Sequence, residues 1–120
     1  MNWIEAAESA LKSLKSSTKV PFDFERMNCD EKQLPDTYIT YFLVANPGTA
    51  WANGKERIFT PRIQVSLFYR KKKAFIDLPP KIIQAFLSKG FMRSGEGRIP
   101  YQQNTGHYGW RCDFYYYEKR

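Results

Sequence analysis

The sequence is short of the residues on which most metal sites and many enzymes depend. Its 120 residues contain two cysteines, Cys29 and Cys112, and a single histidine, His107. Two distant cysteines without a Cys-x-x-Cys spacing exclude a zinc-finger type of site and a scaffold stapled by several disulfides. Both thiols are expected to be free, as small buried apolar residues of a protein in a reducing compartment. No apolar run approaches the ~20 residues that a helix needs to cross a bilayer. The amphipathic N-terminus carries Glu5 and Glu8, which is unlike a secretory signal, so an intracellular protein is expected. Repeats, low-complexity tracts and interdomain linkers are also lacking, so one domain, residues 1–120, is expected.

The same scarcity argues against catalysis. His107 sits in the segment NTGHYGW, which reads as a solvated loop rather than a general base or a ligand. No Gly-x-Ser-x-Gly motif supplies a strained nucleophile. The segment SGEGR, Ser94 to Arg98, lacks the Gly-Lys-Ser/Thr ending of a phosphate loop, and Glu96 would repel phosphate. Its glycines fit strand twist or a bulge better. The carboxylate pairs Asp23/Glu25 and Asp30/Glu31 read as solvated surface. No enzyme activity, cofactor or metal site is expected.

Aromatic residues and positive charge are plentiful instead. Phe, Tyr and Trp make up 17 % of the chain, and the net charge is +7. Such a balance favours anionic partners. One dense run, Arg70-Lys71-Lys72-Lys73, follows a long apolar segment. It reads either as a phosphate-neutralising patch or as a solvated turn with gatekeeper charges.

The periodicity predicts a small α+β domain. Residues 2–16 carry Trp3, Ile4, Ala7, Leu11 and Leu14 on one helical face, with a capping-box pattern at Asn2 and Glu5. Residues 20–27, 36–45 and 55–70 read as three strands, with a turn-rich loop, residues 46–54, between the second and third. Pro61 marks a bulge or an unpaired stretch. Residues 77–89 read as a second helix with Asp77 as N-cap, Pro79 and Pro80 in its first turn, and Gly90 as its stop. Residues 91–101 and 108–119 read as two last strands joined by a hairpin at QQNTG. The expected architecture is a mostly antiparallel sheet of about five strands with both helices on one face, in the order α-β-β-β-α-β-β. In the last strand Trp110, Cys112, Phe114 and Tyr116 alternate toward the core. Tyr115 and Tyr117 then face the other way, a surplus that invites burial against another subunit.

The segment LPDTYITYFLVANPGTAWANGKERIFTPRIQVSLFYR resembles the tail-terminator (tail-completion, or head-tail joining) proteins of long-tailed bacteriophages and prophages. The matching residues are Asp36 to Phe42, Lys55-Glu56 and Arg62 to Ser66. They cover about a third of the chain, and the order of elements agrees over the rest. The resemblance implies a virion structural protein without catalysis or cofactor. It is expected to be a monomer when free and to form a hexameric ring on the end of the tail tube. That ring would contact the tail-tube protein and the head connector while DNA passes through it without sequence readout. The resemblance further implies residence in the bacterial host cytoplasm during assembly, then in the virion neck. In that setting Trp51 becomes a candidate interface anchor, its alternative being to fold over its own core. Arg70, Lys71, Lys72 and Lys73 become candidates for facing DNA or an acidic neighbour. Two rivals stand beside this reading. One is a single-stranded nucleic-acid binder using Arg70 to Lys73, Arg93, Arg98 and exposed tyrosines. The other is an enzyme using His107 with a carboxylate.

Overall fold

The computed structural model describes residues 2–45, 48–52 and 55–119, with the backbone alone for 45, 48–52, 55–59, 118 and 119. Helix α1 spans Trp3–Thr18 and opens with the expected capping box: Glu5 N–H donates to Asn2 Oδ1 at 2.8 Å, and the Glu5 carboxylate accepts from the Asn2 backbone. Ser17 and Thr18 turn their hydroxyls back to the Leu14 carbonyl. The helix closes on Lys19 in the left-handed conformation. Trp3, Ala6, Ala7, Ala10, Leu11 and Leu14 form its buried stripe.

Strands β1 (Phe22–Phe24), β2 (Thr37–Ala45), β5 (Arg62–Tyr69), β6 (Phe91–Gln102) and β7 (His107–Tyr116) make one sheet in the order β1-β2-β5-β7-β6. Only the β1–β2 pairing is parallel. The first strand is shorter than its pattern predicts, because Glu25 takes a positive φ of 66° and turns the chain away. Ile39, Tyr41, Ile63, Val65, Leu67, Tyr69, Trp110, Cys112 and Phe114 project from one face into a core shared with both helices. Each large side chain buried there contributes about 1.5–3 kcal/mol. The α+β class, the five-stranded sheet and the two covering helices are thus as the periodicity predicts.

Further elements differ from expectation. The predicted loop 46–54 contains a strand, β3 (Gly48–Ala52), which pairs antiparallel with β4 (Lys55–Phe59). Thr and Trp are good strand formers, and β4 offers them a ladder. The predicted long strand 55–70 is therefore two strands, interrupted at Thr60 and Pro61, where Pro61 lacks an amide proton. A two-residue strand β8 (Glu118–Lys119) joins β4, giving a second, three-stranded sheet β3-β4-β8.

Helix α2 runs Lys72–Leu87, five residues earlier than predicted, so Asp77 lies inside it and is not its N-cap. Pro79 and Pro80 fall in the helix interior. The carbonyls they leave without a helical donor belong to Phe75 and Ile76, both of which are exposed to water. Packing outweighs the basic first turn: Phe75 stacks on Tyr69, and Leu78, Pro79, Ile82 and Phe86 are buried. Gly90, at φ 93°, ends the segment as expected.

Candidate functional site

The predicted interaction residues fall in three places rather than one. Trp51 lies on β3, opposite Glu56 of β4. Its side chain is outside the described residues, so neither reading of it is decided. Tyr115 and Tyr117 lie on either side of Tyr116: Tyr115 is half-buried under the Arg62 guanidinium, 5.9 Å from its ring centre, and Tyr117 is 54 % exposed. Arg70 to Lys73 form the junction between β5 and α2.

That junction is built from short-range constraints. Arg70 is committed to its own fold: Nη1 donates to Asp36 Oδ1 at 2.8 Å and to the Leu34 carbonyl, and Nε donates to the Thr105 carbonyl at 3.0 Å. The guanidinium holds the Asp36 carboxyl below the usual carboxylate range. Lys71, Lys72 and Lys73 are exposed, Lys71 as N-cap residue and the others in the first turn of α2. On one side of that turn lies a cavity of about 520 Å³ whose lining includes Lys19, Lys71, Lys73 and Lys81 against Asp36 and Asp77. On the other side a cavity of about 380 Å³ is lined by Tyr69, Arg70, Lys72, Phe75, Arg98 and Tyr108. Sequence reasoning missed Tyr69, Phe75, Lys19 and Lys81 here. The expected hairpin at QQNTG carried the one available signal, because it brings Tyr101 and Tyr108 side by side.

The sheet face away from the helices is polar at one end and grooved at the other. Asp113 is buried and accepts from Arg62 Nη2 at 2.7 Å and from Arg111 Nη1 at 3.2 Å. Across β2 and β5 a groove of about 610 Å³ runs under the 25–34 loop, lined by Tyr38, Thr40, Phe42, Ser66 and Phe68 among others. Glu25, Asp30 and Glu31 border it, but no histidine reaches it. Among the described residues no three potential ligands are grouped to hold a metal ion.

His107 corrects the sequence reading. It is fully buried, not a solvated loop residue. Nε2 lies 2.8 Å from the Pro35 carbonyl, which can only accept, so Nε2 carries the proton. Nδ1 lies 2.7 Å from the Thr105 hydroxyl. Tyr38 meets the ring edge-on at 5.1 Å. The imidazole ties the entry to β2 to the β6–β7 turn and has no open side for a substrate.

The two cysteines are free, as expected, but only one is buried. Burial pushes the Cys112 thiol up to about 11, whereas Cys29 is half-exposed on the groove. A thiol-titrating disulfide reagent at pH 8 should therefore label one cysteine per native chain and two in denaturant. Rapid labelling of both in the native protein would contradict this packing.

No family model matches this chain, and no curated protein is similar to it. No helix among the described residues is long and apolar enough to cross a membrane.

Proposed function

We propose that this protein is a structural subunit of a long-tailed bacteriophage or prophage, which closes the tail tube and joins it to the head connector as a ring. The observation that carries the reading is the second sheet. Its strands β3, β4 and β8 pair with one another, and none pairs with the five-stranded sheet. The chain accordingly measures 51 × 27 × 24 Å, with a radius of gyration of 15.3 Å. A compact chain of this length would have a radius of about 14 Å. An arm of paired strands beside a rigid helix-backed sheet is suited to reaching a neighbouring subunit. The segment that resembles tail terminators, Leu34 to Arg70, contains two of the arm's three strands, β3 and β4.

Exposed apolar residues support the same reading. Tyr117, Met92, Val44 and Leu87 remain at the surface on several sides of the domain, as a subunit with more than one neighbour requires. In the ring, the arm meets the next subunit or the tube, and Trp51 is its anchor. The basic junction faces either the duplex passing through the ring or an acidic neighbour. Six chains of charge +7 repel one another at low salt, so the free protein is a monomer and assembles only on the tube. Light scattering of the dilute protein should give the mass of a single chain. Trp51→Ala should leave the melting transition unchanged while tail joining falls at least tenfold, which is the loss of a single interface anchor worth about 2 kcal/mol. A variant that unfolds in isolation would mean that Trp51 belongs to the subunit's own core.

A further inference from the structure

The ring reading leaves one built feature unused, a row of aromatic rings set among cations. Tyr69 and Tyr108 are partners in register on β5 and β7, with rings stacked at 5.8 Å and 23°. Phe75, from the first turns of α2, stacks on Tyr69 at 5.5 Å and 18°. Tyr101 continues the row beyond Tyr108 at 4.8 Å. Tyr69 is buried and fixes the row, but Phe75, Tyr108 and Tyr101 are 39 %, 43 % and 50 % exposed. A fold that needed these rings only as core would not leave three of them at the surface.

The charge around the row has one sign. The cavity of about 380 Å³ that the rings enclose is lined by Arg70, Lys72 and Arg98 and by no carboxylate. Arg70 is neutralised by Asp36. Lys72 and Arg98 have no ion-pair partner among the described residues. Across the first turn of α2, the neighbouring cavity sets Lys19, Lys71, Lys73 and Lys81 against Asp36 and Asp77, so the surface there stays net positive. Flat rings select a flat aromatic ligand, and unpaired cations select an anion beside it. A chain of nucleotides carries both at a regular repeat, with bases for the rings and phosphates for Lys72, Arg98 and the lysines beyond. Duplex DNA hides its base faces, so it can use the cations but not the rings.

We propose that the Phe75–Tyr69–Tyr108–Tyr101 row, with Lys72 and Arg98, is a binding site for single-stranded nucleic acid. The proposal does not depend on the ring. The test is fluorescence anisotropy of a labelled deoxythymidine oligonucleotide with the full chain, titrated at several salt concentrations. Duplex DNA and thymidine monophosphate serve as competitors. The expected result is saturable binding of the single strand, with competition by the duplex and the monophosphate only at much higher concentration. Tyr108→Ala should weaken binding about 5- to 150-fold, the equivalent of ~1–3 kcal/mol per stacked base, and Tyr108→Phe should retain it. Arg98→Ala, at an exposed position, should reduce the slope of log K against log salt by about 0.7, one phosphate contact on a single strand. Absence of strand binding overturns the proposal. So does a folded Tyr108→Ala variant that binds as the parent does, or equal competition by duplex, which would mean adhesion to any polyanion. Equal competition by the monophosphate would make the cavity a nucleotide site and overturn the strand assignment. If Tyr108→Ala fails to fold, Arg98→Glu carries the test, and undiminished binding there counts against the site.

Discussion

His107→Ala should destabilise the isolated domain by about 3–4 kcal/mol and lower its melting temperature by roughly 12–16 °C. The side chain is inaccessible to water and satisfies two partly buried groups, the Pro35 carbonyl and the Thr105 hydroxyl. Truncation leaves both without their partner, at about 1–3 kcal/mol each. It also removes the edge-on contact with Tyr38, worth about 0.5–1.5 kcal/mol. Water entering the space would recover part of the loss, which keeps the expected total below the sum. His107→Gln can still donate toward Pro35 and should fall between the two. Urea unfolding monitored by tryptophan fluorescence is sufficient. A loss under about 0.5 kcal/mol, the usual cost at a surface position, would return His107 to the solvated loop that its sequence context predicts.

Gly109→Ala should be nearly as damaging, by the opposite route. Gly109 of β7 faces Ile99 of the edge strand β6, and a Cβ there would lie 2.5 Å from the Ile99 Cβ and 3.1 Å from its Cγ2. Carbon atoms rest at about 3.5–4.0 Å, so the strands must part by about 1 Å, loosening the ladder on either side. Neither atom is the end of a flexible side chain, and rotamer changes cannot relieve the nearest contact. The expected cost is about 3 kcal/mol, at the upper end for overpacking. Ile99→Gly removes the opposing Cβ. The pair Ile99→Gly with Gly109→Ala should therefore be more stable than the sum of the single changes by more than 1 kcal/mol. Simple additivity would mean that the two residues do not meet.

What could be read from the sequence follows from how local each signal is. The capping box of α1 involves residues three apart, and Asn2 and Glu5 form it. The alternation in Arg62 to Tyr69 is a property of one strand, and Ile63, Val65, Leu67 and Tyr69 all reach the core. The start of α2 was not legible because Pro79 and Pro80 resemble a first turn. Only the tertiary contact between Phe75 and Tyr69 carries the helix back to Lys72. His107 was misread because its partner Pro35 lies 72 residues away in the chain. The aromatic row failed for the same reason: Tyr69, Phe75, Tyr101 and Tyr108 come from three strands and a helix. Composition announced an excess of rings and of positive charge, but topology decides that they meet.

We propose that this protein acts by docking on a tube end. Purified tail tubes lacking their terminator, incubated with the protein and imaged in negative stain, test it most directly. The account predicts added density confined to one end of each tube, an end that no longer elongates, and the loss of both with Trp51→Ala. Bare tube ends at saturating protein, or decoration along the whole tube length, would contradict it.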